Sequence, residues 1–133
     1  MREITVNRLL GLAAVIEAAT GLALIIHPPL LSHLLLGEGV SGAGMALGRV
    51  AGFALLSLGL ACWPGLDSAG ANTQAARALL TYNLLATLYL GYLGIGGQTV
   101  GTVLWPAVAL HAVLTLLLAR AWLAEVEVER VKL

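Results

Sequence analysis

The chain has 133 residues, of which 59% are hydrophobic and 11% are charged, and its mean hydropathy is +0.94. Soluble domains have about a quarter of their residues charged, so this composition excludes an ordinary soluble protein and indicates an integral membrane protein. Seven basic and seven acidic residues give zero net charge, which leaves no bulk electrostatic basis for binding nucleic acid. Cys62 is the only cysteine and cannot form an intramolecular disulfide, so we interpret it as a small packing residue.

Four apolar segments of about 20 residues follow one another, which is the helix length that a hydrocarbon core of about 30 Å requires. We therefore predict an all-α fold: a polytopic membrane protein with four transmembrane helices in an antiparallel bundle, forming a single domain over residues 1–133. The predicted spans are about 8–26, 42–63, 75–95 and 100–122, followed by a cytoplasmic tail at 124–133. The tail alternates apolar and charged residues, which fits either a helical extension or a strand.

The first span carries one acidic residue, Glu17, near its middle. The positions three and four residues away from it on either side are all small, so that face of the helix suits close contact with another helix. We therefore expect the Glu17 carboxylate to point into the bundle. The small residues are Ala13, Ala14, Thr20 and Gly21.

The sequence His27-Pro28-Pro29 ends the first span, because two prolines remove two backbone donors and disfavour the helical conformation before them. The apolar run from Leu30 to Gly39 is too short to cross a bilayer, so we predict a short interfacial segment between the first two spans. His27 and His33 could meet at the outer surface. No cysteine or acidic residue accompanies them at ligand spacing, so we predict no metal site and interpret both as interfacial histidines.

The second span contains Arg49 in its middle, where a charge costs at least a few kcal/mol on insertion scales. Such a charge normally faces protein or a water-filled cavity, so we expect Arg49 to have a partner. Gly44, Gly48 and Gly52 recur every four residues and form what we call the glycine ridge, a surface for close packing of helices. The ridge could pack within one chain or against a second copy, which makes a homodimer plausible.

Each span contributes one strongly polar group at a similar depth. At 1.5 Å per residue from the predicted cytoplasmic ends, Glu17 lies about 13 Å deep, Asn83 about 12 Å, His111 about 16 Å and Arg49 about 20 Å. We predict a central polar cluster in which Glu17 and Arg49 form a salt bridge and Asn83 and His111 complete the hydrogen bonds. Tyr82 could extend this cluster through its hydroxyl.

Two interpretations of such a cluster stay open. It could fix the register of the helices without contacting any ligand, as buried polar residues do in coiled coils. It could instead line a cavity that binds a polar head group or moves a proton, since intramembrane ionisable residues commonly mark functional sites. Haem is not expected, because His27 lies about 11 Å nearer the outer face than His111, and no other cofactor is identified.

The basic residues predict the orientation of the chain. Six of them fall on the side of the membrane that holds both termini, and the two connections on the other side have none. The positive-inside rule therefore places the N- and C-termini in the cytoplasm. The six residues are Arg2, Arg8, Arg77, Arg120, Arg130 and Lys132.

In outline, the broken first hairpin around HPPLLSHLLLG and the segment GRVAGFALLSLGLACW resemble the DoxX-like group of small bacterial membrane proteins. As a hydropathy profile, the resemblance covers most of the chain. It implies four spans in a bacterial inner membrane and a loose association with quinone or thiol redox systems. This chain has no redox-active cysteine pair, and we carry over no catalytic residue.

Three functions follow as expectations. The first is an inner-membrane protein that binds or carries a small amphipathic molecule, such as a quinone, lipid or isoprenoid, with its head group at the polar cluster. The second is an intramembrane enzyme that uses Glu17 or His111 for proton transfer. The third is a structural or accessory subunit of a membrane complex. The expected partners are membrane lipids, the amphipathic molecule, and a second copy or another membrane subunit.

Overall fold

The computed structural model describes the backbone of residues 2–64, 69–97 and 100–131 and the side chains of residues 6–64, 73–97 and 100–124. Within these residues the chain is entirely helical, apart from short turns. The helices are α1 (Arg2–Ile26), α2 (Pro28–Leu36), α3 (Ala43–Ala61), α4 (Ala69–Gly96) and α5 (Leu104–Val131).

Four of the five helices contain a segment long and apolar enough to cross a membrane. These segments are Val6–Ile26, Ala43–Ala61, Thr73–Gly96 and Leu104–Ala124. The predicted all-α bundle with four spans is confirmed, and α2 is the predicted short segment between the first two spans. Because α5 continues to Val131, the part of the tail that the structure describes is a helical extension and not a strand.

The break between α1 and α2 forms at His27-Pro28-Pro29, as predicted. Pro28 and Pro29 occupy the first two positions of α2, where a missing N–H leaves no intrahelical bond unmade. His27 caps the helix, because its Nδ1 accepts a hydrogen bond of 3.2 Å from the Leu30 N–H. Gly37 ends α2 in the left-handed conformation, with φ of 79°.

The C-terminal end of α2 is bound to the connection between α4 and α5. The N–H of Gly101 donates to the Leu35 carbonyl at 2.9 Å, and the N–H of Val103 donates to the Leu34 carbonyl at 3.0 Å. These bonds satisfy two carbonyls that the end of a helix would otherwise leave unpaired. A side chain at position 101 would collide with the α2 backbone, so only glycine fits there. The short helix therefore ties the first half of the chain to the second at one end of the bundle.

The four spans form two closely packed pairs, α1 with α3 and α4 with α5. Contacts between the pairs are much sparser, and the main ones run from α1 to α4 and α5, so we call this contact the seam. Of the α1 span, 28% is buried, against 11% for each of the other three spans. Helix α1 is therefore the central helix, and α3 lies on its outer side.

The α1–α3 contact brings two helix backbones together without intervening side chains. A Cβ atom added to Gly52 would lie 2.7 Å from the Gly21 carbonyl oxygen, and one added to Gly59 would lie 2.6 Å from the Ala14 carbonyl oxygen. Both separations are shorter than any real contact of a Cβ atom, so glycine is required at positions 52 and 59.

The predicted glycine ridge is divided among three neighbours. Only Gly52 lies in the α1–α3 contact; Gly48 faces Pro28 of α2, and Gly44 faces Val40 in the connection that precedes α3. Gly59 is the glycine that the prediction missed. It lies seven residues after Gly52 and therefore on the same face of α3, and this spacing could have identified it.

An apolar core fills the end of the bundle that holds the first turns of α1 and the later turns of α5. Cys62 belongs to it and is 3% exposed. The buried members of this core are Leu10, Ala13, Cys62, Ala76, Leu79, Leu114 and Leu118. The core joins both helix pairs, and the polar side chains lie next to it, towards the middle of the spans.

Candidate functional site

Four of the five predicted site residues come together at the seam. Glu17 belongs to α1, Tyr82 and Asn83 to α4, and His111 to α5. We call these four residues the polar cluster. Because Glu17 comes from one helix pair and the other three from the second, the cluster lies across the sparser contact of the bundle.

A hydrogen bond joins α4 to α5 within the cluster. The Nδ1 atom of His111 lies 2.7 Å from the Oδ1 atom of Asn83, and the Asn83 Nδ2 donates to the Leu79 carbonyl at 2.9 Å. A carbonyl can only accept, so the amide nitrogen of Asn83 must face Leu79 and its oxygen must face the imidazole. The imidazole therefore donates from Nδ1, and in the neutral ring Nε2 is left as an acceptor.

Tyr82 packs against the same imidazole. Its ring meets that of His111 edge to face, with centroids 5.8 Å apart and an interplanar angle of 79°. Both side chains are only partly buried, whereas Glu17 and Asn83 are 0% exposed. The cluster therefore has a closed interior and a side that reaches the surface of the bundle through Tyr82 and His111.

Glu17 is the unusual member of the cluster. The Tyr82 and Asn83 side chains are close enough to interact with its carboxyl group. Even so, neither carboxyl oxygen makes a hydrogen bond of acceptable geometry to any residue that the structure describes. Most buried polar groups in proteins are hydrogen-bonded, and leaving one unpaired is costly. This carboxyl group therefore needs an explanation beyond packing.

Arg49, the fifth predicted site residue, is not in the cluster, and the predicted salt bridge with Glu17 is wrong. The Arg49 side chain is exposed on α3, and among the described side chains neither residue forms an ion pair. Helical side chains lean towards the N-terminus of their helix, and α3 runs antiparallel to α1. The Arg49 side chain therefore leans towards the Ala43 end of α3, away from the level of Glu17.

The position of Arg49 also explains how the bundle tolerates its charge. It lies six residues from Ala43, the first residue of α3, which corresponds to about 9 Å along the helix axis. A long basic side chain at that depth can extend its charged end to the membrane surface while its stem stays in the apolar region. Arg49 therefore needs no partner inside the bundle.

No known protein family, curated protein or solved structure matches this chain. The resemblance to the DoxX-like group therefore brings no assignment of residues. The geometry of the polar cluster is the basis for inferring a function.

Two threonines support the backbone that carries the cluster, and His27 lies outside the cluster. Thr87 and Thr115, one turn after Asn83 and His111, donate their hydroxyls to the carbonyls of those two residues at 2.8 Å and 2.7 Å. They therefore stabilise the helices that carry the cluster and do not offer free hydroxyls. His27 uses Nδ1 to cap α2, and the described residues contain no group of three metal-binding side chains.

A shallow groove with a volume of about 220 Å³ lies on the outer surface of α5. Its walls belong to this single helix, and it does not adjoin the polar cluster. The lining residues are Val113, Leu116, Leu117 and Arg120.

The chemistry that the cluster can perform follows from its donors and acceptors. Ionised Glu17 can accept hydrogen bonds or balance a positive charge, and protonated Glu17 can donate one. The His111 Nε2 can accept a hydrogen bond, and the Tyr82 hydroxyl can donate or accept one. The arrangement suits the binding of one polar group or the exchange of one proton.

Proposed function

We propose that this protein binds or carries a small amphipathic molecule in the bilayer, of quinone, lipid or isoprenoid type, and receives its head group at the polar cluster. The observation that carries the proposal is the state of Glu17, which is fully buried while both of its carboxyl oxygens lack a hydrogen-bond partner among the described residues. A buried polar group that is costly to leave unpaired is expected to be satisfied by a bound ligand.

The surroundings of the cluster support access from the side. Tyr82 and His111 are partly exposed and lie well inside the α4 and α5 spans, so their exposed edges face hydrocarbon and not water. A molecule dissolved in the bilayer can approach these two side chains laterally. To reach Glu17 it must then separate the helix pairs at the seam, where contacts are sparse.

The proposal is tested by purifying the protein in a mild detergent and analysing it by native mass spectrometry, with extraction of bound small molecules. We expect a molecule that copurifies with the wild type to be lost from Glu17→Gln and retained by Arg49→Gln. The second variant is the matched control, because it also removes one charge from a span but lies outside the cluster. If nothing copurifies and Glu17→Gln changes only the stability, the cluster has a structural role and the proposal is wrong.

A second function, proton exchange with the bound molecule, is favoured by the position of Glu17 beside the Tyr82 hydroxyl. General acid-base chemistry needs such a proton-accepting group in a site that excludes water. An enzyme of this kind would remove a proton from one carbon of the copurified molecule and return a proton to it. In D₂O the product would therefore contain deuterium bonded to carbon. Deuterium uptake that persists in Glu17→Gln would contradict this role.

We also propose that the protein lies in a bacterial inner membrane with both termini in the cytoplasm. Six of the seven basic residues, all except Arg49, support this orientation through the positive-inside rule. Reporter domains that are active on only one side of the membrane, fused to the C-terminus, test it. Activity of a periplasmic reporter would reverse the assignment.

A further inference from the structure

The charge of the polar cluster depends on whether Arg49 belongs to it. With Arg49 included, the cluster would have been neutral and would have attracted an anionic or carbonyl oxygen. With Arg49 exposed on α3, no basic side chain among the described residues faces Glu17.

The groups that do face Glu17 carry no positive charge to balance it. Tyr82 and Asn83 face it from α4, and Cys62, at the end of α3, is close enough to interact with it electrostatically. On the α5 side, His111 is hydrogen-bonded to Asn83. Arginine and lysine are absent from this set, and a neutral imidazole bonded through Nδ1 adds no charge. An ionised Glu17 therefore makes the site negative.

We propose that the molecule bound at the cluster is a cation: an amphipathic amine or onium ion whose charged head pairs with the Glu17 carboxylate. This inference rests on the proposed function and narrows its ligand to an amphipathic molecule with a cationic head, in place of a neutral quinone or isoprenoid. A cation would satisfy the buried carboxylate, whereas an anionic head would add a second negative charge in an apolar environment. The neighbouring Tyr82 ring adds a surface that favours cations, and the surrounding apolar side chains suit a hydrophobic tail.

The same carboxyl group binds a proton when the cation is absent. Burial of an unpaired charge is costly, and either a proton or a cation neutralises it. Binding of one monovalent cation then releases one proton from Glu17, and the total charge of the site does not change. Cation and proton are therefore alternative ligands of one carboxylate.

The test uses the full chain in mild detergent and two probes of nearly equal size and shape but opposite charge, tetraphenylphosphonium and tetraphenylborate. We expect saturable binding of tetraphenylphosphonium. In the acidic range its affinity should fall by up to about tenfold for each unit by which the pH is lowered, because protons compete for Glu17. Binding should be weaker by at least about tenfold in Glu17→Gln, a loss of about 1.4 kcal/mol, and unchanged in Arg49→Gln. Calorimetry in buffers of different ionisation enthalpy measures the proton released.

The controls separate loss of charge from loss of fold. Glu17→Asp keeps the carboxylate and should retain binding of tetraphenylphosphonium and its pH dependence, while circular dichroism reports the helical fold of both variants at position 17. Equal or tighter binding of tetraphenylborate would overturn the inference. So would binding of tetraphenylphosphonium that Glu17→Gln leaves unchanged.

A neutral probe, decylubiquinone, distinguishes this inference from the function on which it rests. If decylubiquinone binds to the wild type but not to Glu17→Gln, and tetraphenylphosphonium does not bind, the protein binds amphipathic molecules but the cationic class is wrong. If none of the three probes binds, both the proposed function and the cationic class are rejected.

Discussion

Helix α1 makes two contacts of opposite character. Against α3 it is joined backbone to backbone, through Gly21 and Gly52, with no room for even one additional carbon atom. Across the seam it presents Glu17 to α4 and α5, and that carboxyl group is buried without a hydrogen bond to the described residues. Inside a membrane, tight packing is the main source of helix association, whereas buried ionisable groups oppose it.

The two contacts of α1 therefore differ in role: the contact with α3 stabilises the bundle, and the seam holds the candidate functional site. The α1–α3 contact has the features of a permanent interface, since a Cβ atom at Gly52 or Gly59 would collide with the α1 backbone. The seam is sparser and contains the unsatisfied group, so it is the place where the proposed ligand would enter. Variants that alter one contact at a time test this difference between the two contacts.

The largest effect is expected at the α1–α3 contact. Gly52→Leu should lower the free energy of unfolding by at least about 3 kcal/mol, because the new side chain meets the α1 backbone, which cannot rotate away. The matched control is Gly91→Leu, since nothing lies within 4 Å of a Cβ atom at position 91 in α4. That variant should be stabilised by up to about 1 kcal/mol through its helix propensity. Thermal unfolding in detergent measures both variants. Equal losses of unfolding free energy would show that the α1–α3 contact is no more tightly packed than the surroundings of Gly91.

The second effect concerns the hydrogen bond between Asn83 and His111. A double-mutant cycle with Asn83→Ala, His111→Ala and the combined variant should give a coupling energy of about 1 kcal/mol, because each single change leaves the other partner unpaired. Unfolding free energies of the four proteins provide the measurement. A coupling near zero would mean that the two side chains do not act as a unit, and that the polar cluster is not preorganised on the α4–α5 side.

A third variant tests whether the buried Glu17 carboxylate lowers the stability of the bundle. Glu17→Gln removes the buried charge and should raise the unfolding free energy at alkaline pH by about 1 kcal/mol. As the pH falls, the wild-type carboxyl group is itself protonated, so the difference between the two proteins should shrink. Unfolding curves at several pH values test this. A variant less stable than the wild type at every pH would show that Glu17 has a stabilising partner.

The sequence predicts the elements of this fold well because they depend on local properties. The helix break at His27-Pro28-Pro29 follows from proline chemistry, and the spans follow from apolar segments of the required length. Depth is also predictable, because the rise per residue is fixed and alternating helices share two ends. On that basis the sequence predicts Glu17, Asn83 and His111 at one level, and the structure joins Asn83 to His111 and brings Asn83 to Glu17.

Rotation about a helix axis is much harder to predict from one sequence. The predicted pairing of Arg49 with Glu17 rests on opposite charge and similar depth, and it fails because the Arg49 side chain leans towards the other end of α3. Gly44 and Gly48 share a spacing with Gly52, yet each meets a different neighbour, because α2 and the connection before α3 also contact this helix. The unsatisfied state of Glu17 was not predictable either, since it depends on the orientation of four helices at once.

The smallest effect is expected at Arg49, and it tests whether Arg49 lies outside the polar cluster. Because its side chain is exposed and reaches towards the membrane surface, Arg49→Gln should change the unfolding free energy by less than about 0.5 kcal/mol. Combined with Glu17→Gln, the two changes should be additive, since residues that do not touch rarely couple. A coupling of more than about 1 kcal/mol would instead mean that the guanidinium reaches the carboxylate. In that case the site is neutral, a cationic ligand is no longer favoured, and a salt bridge stabilises the seam.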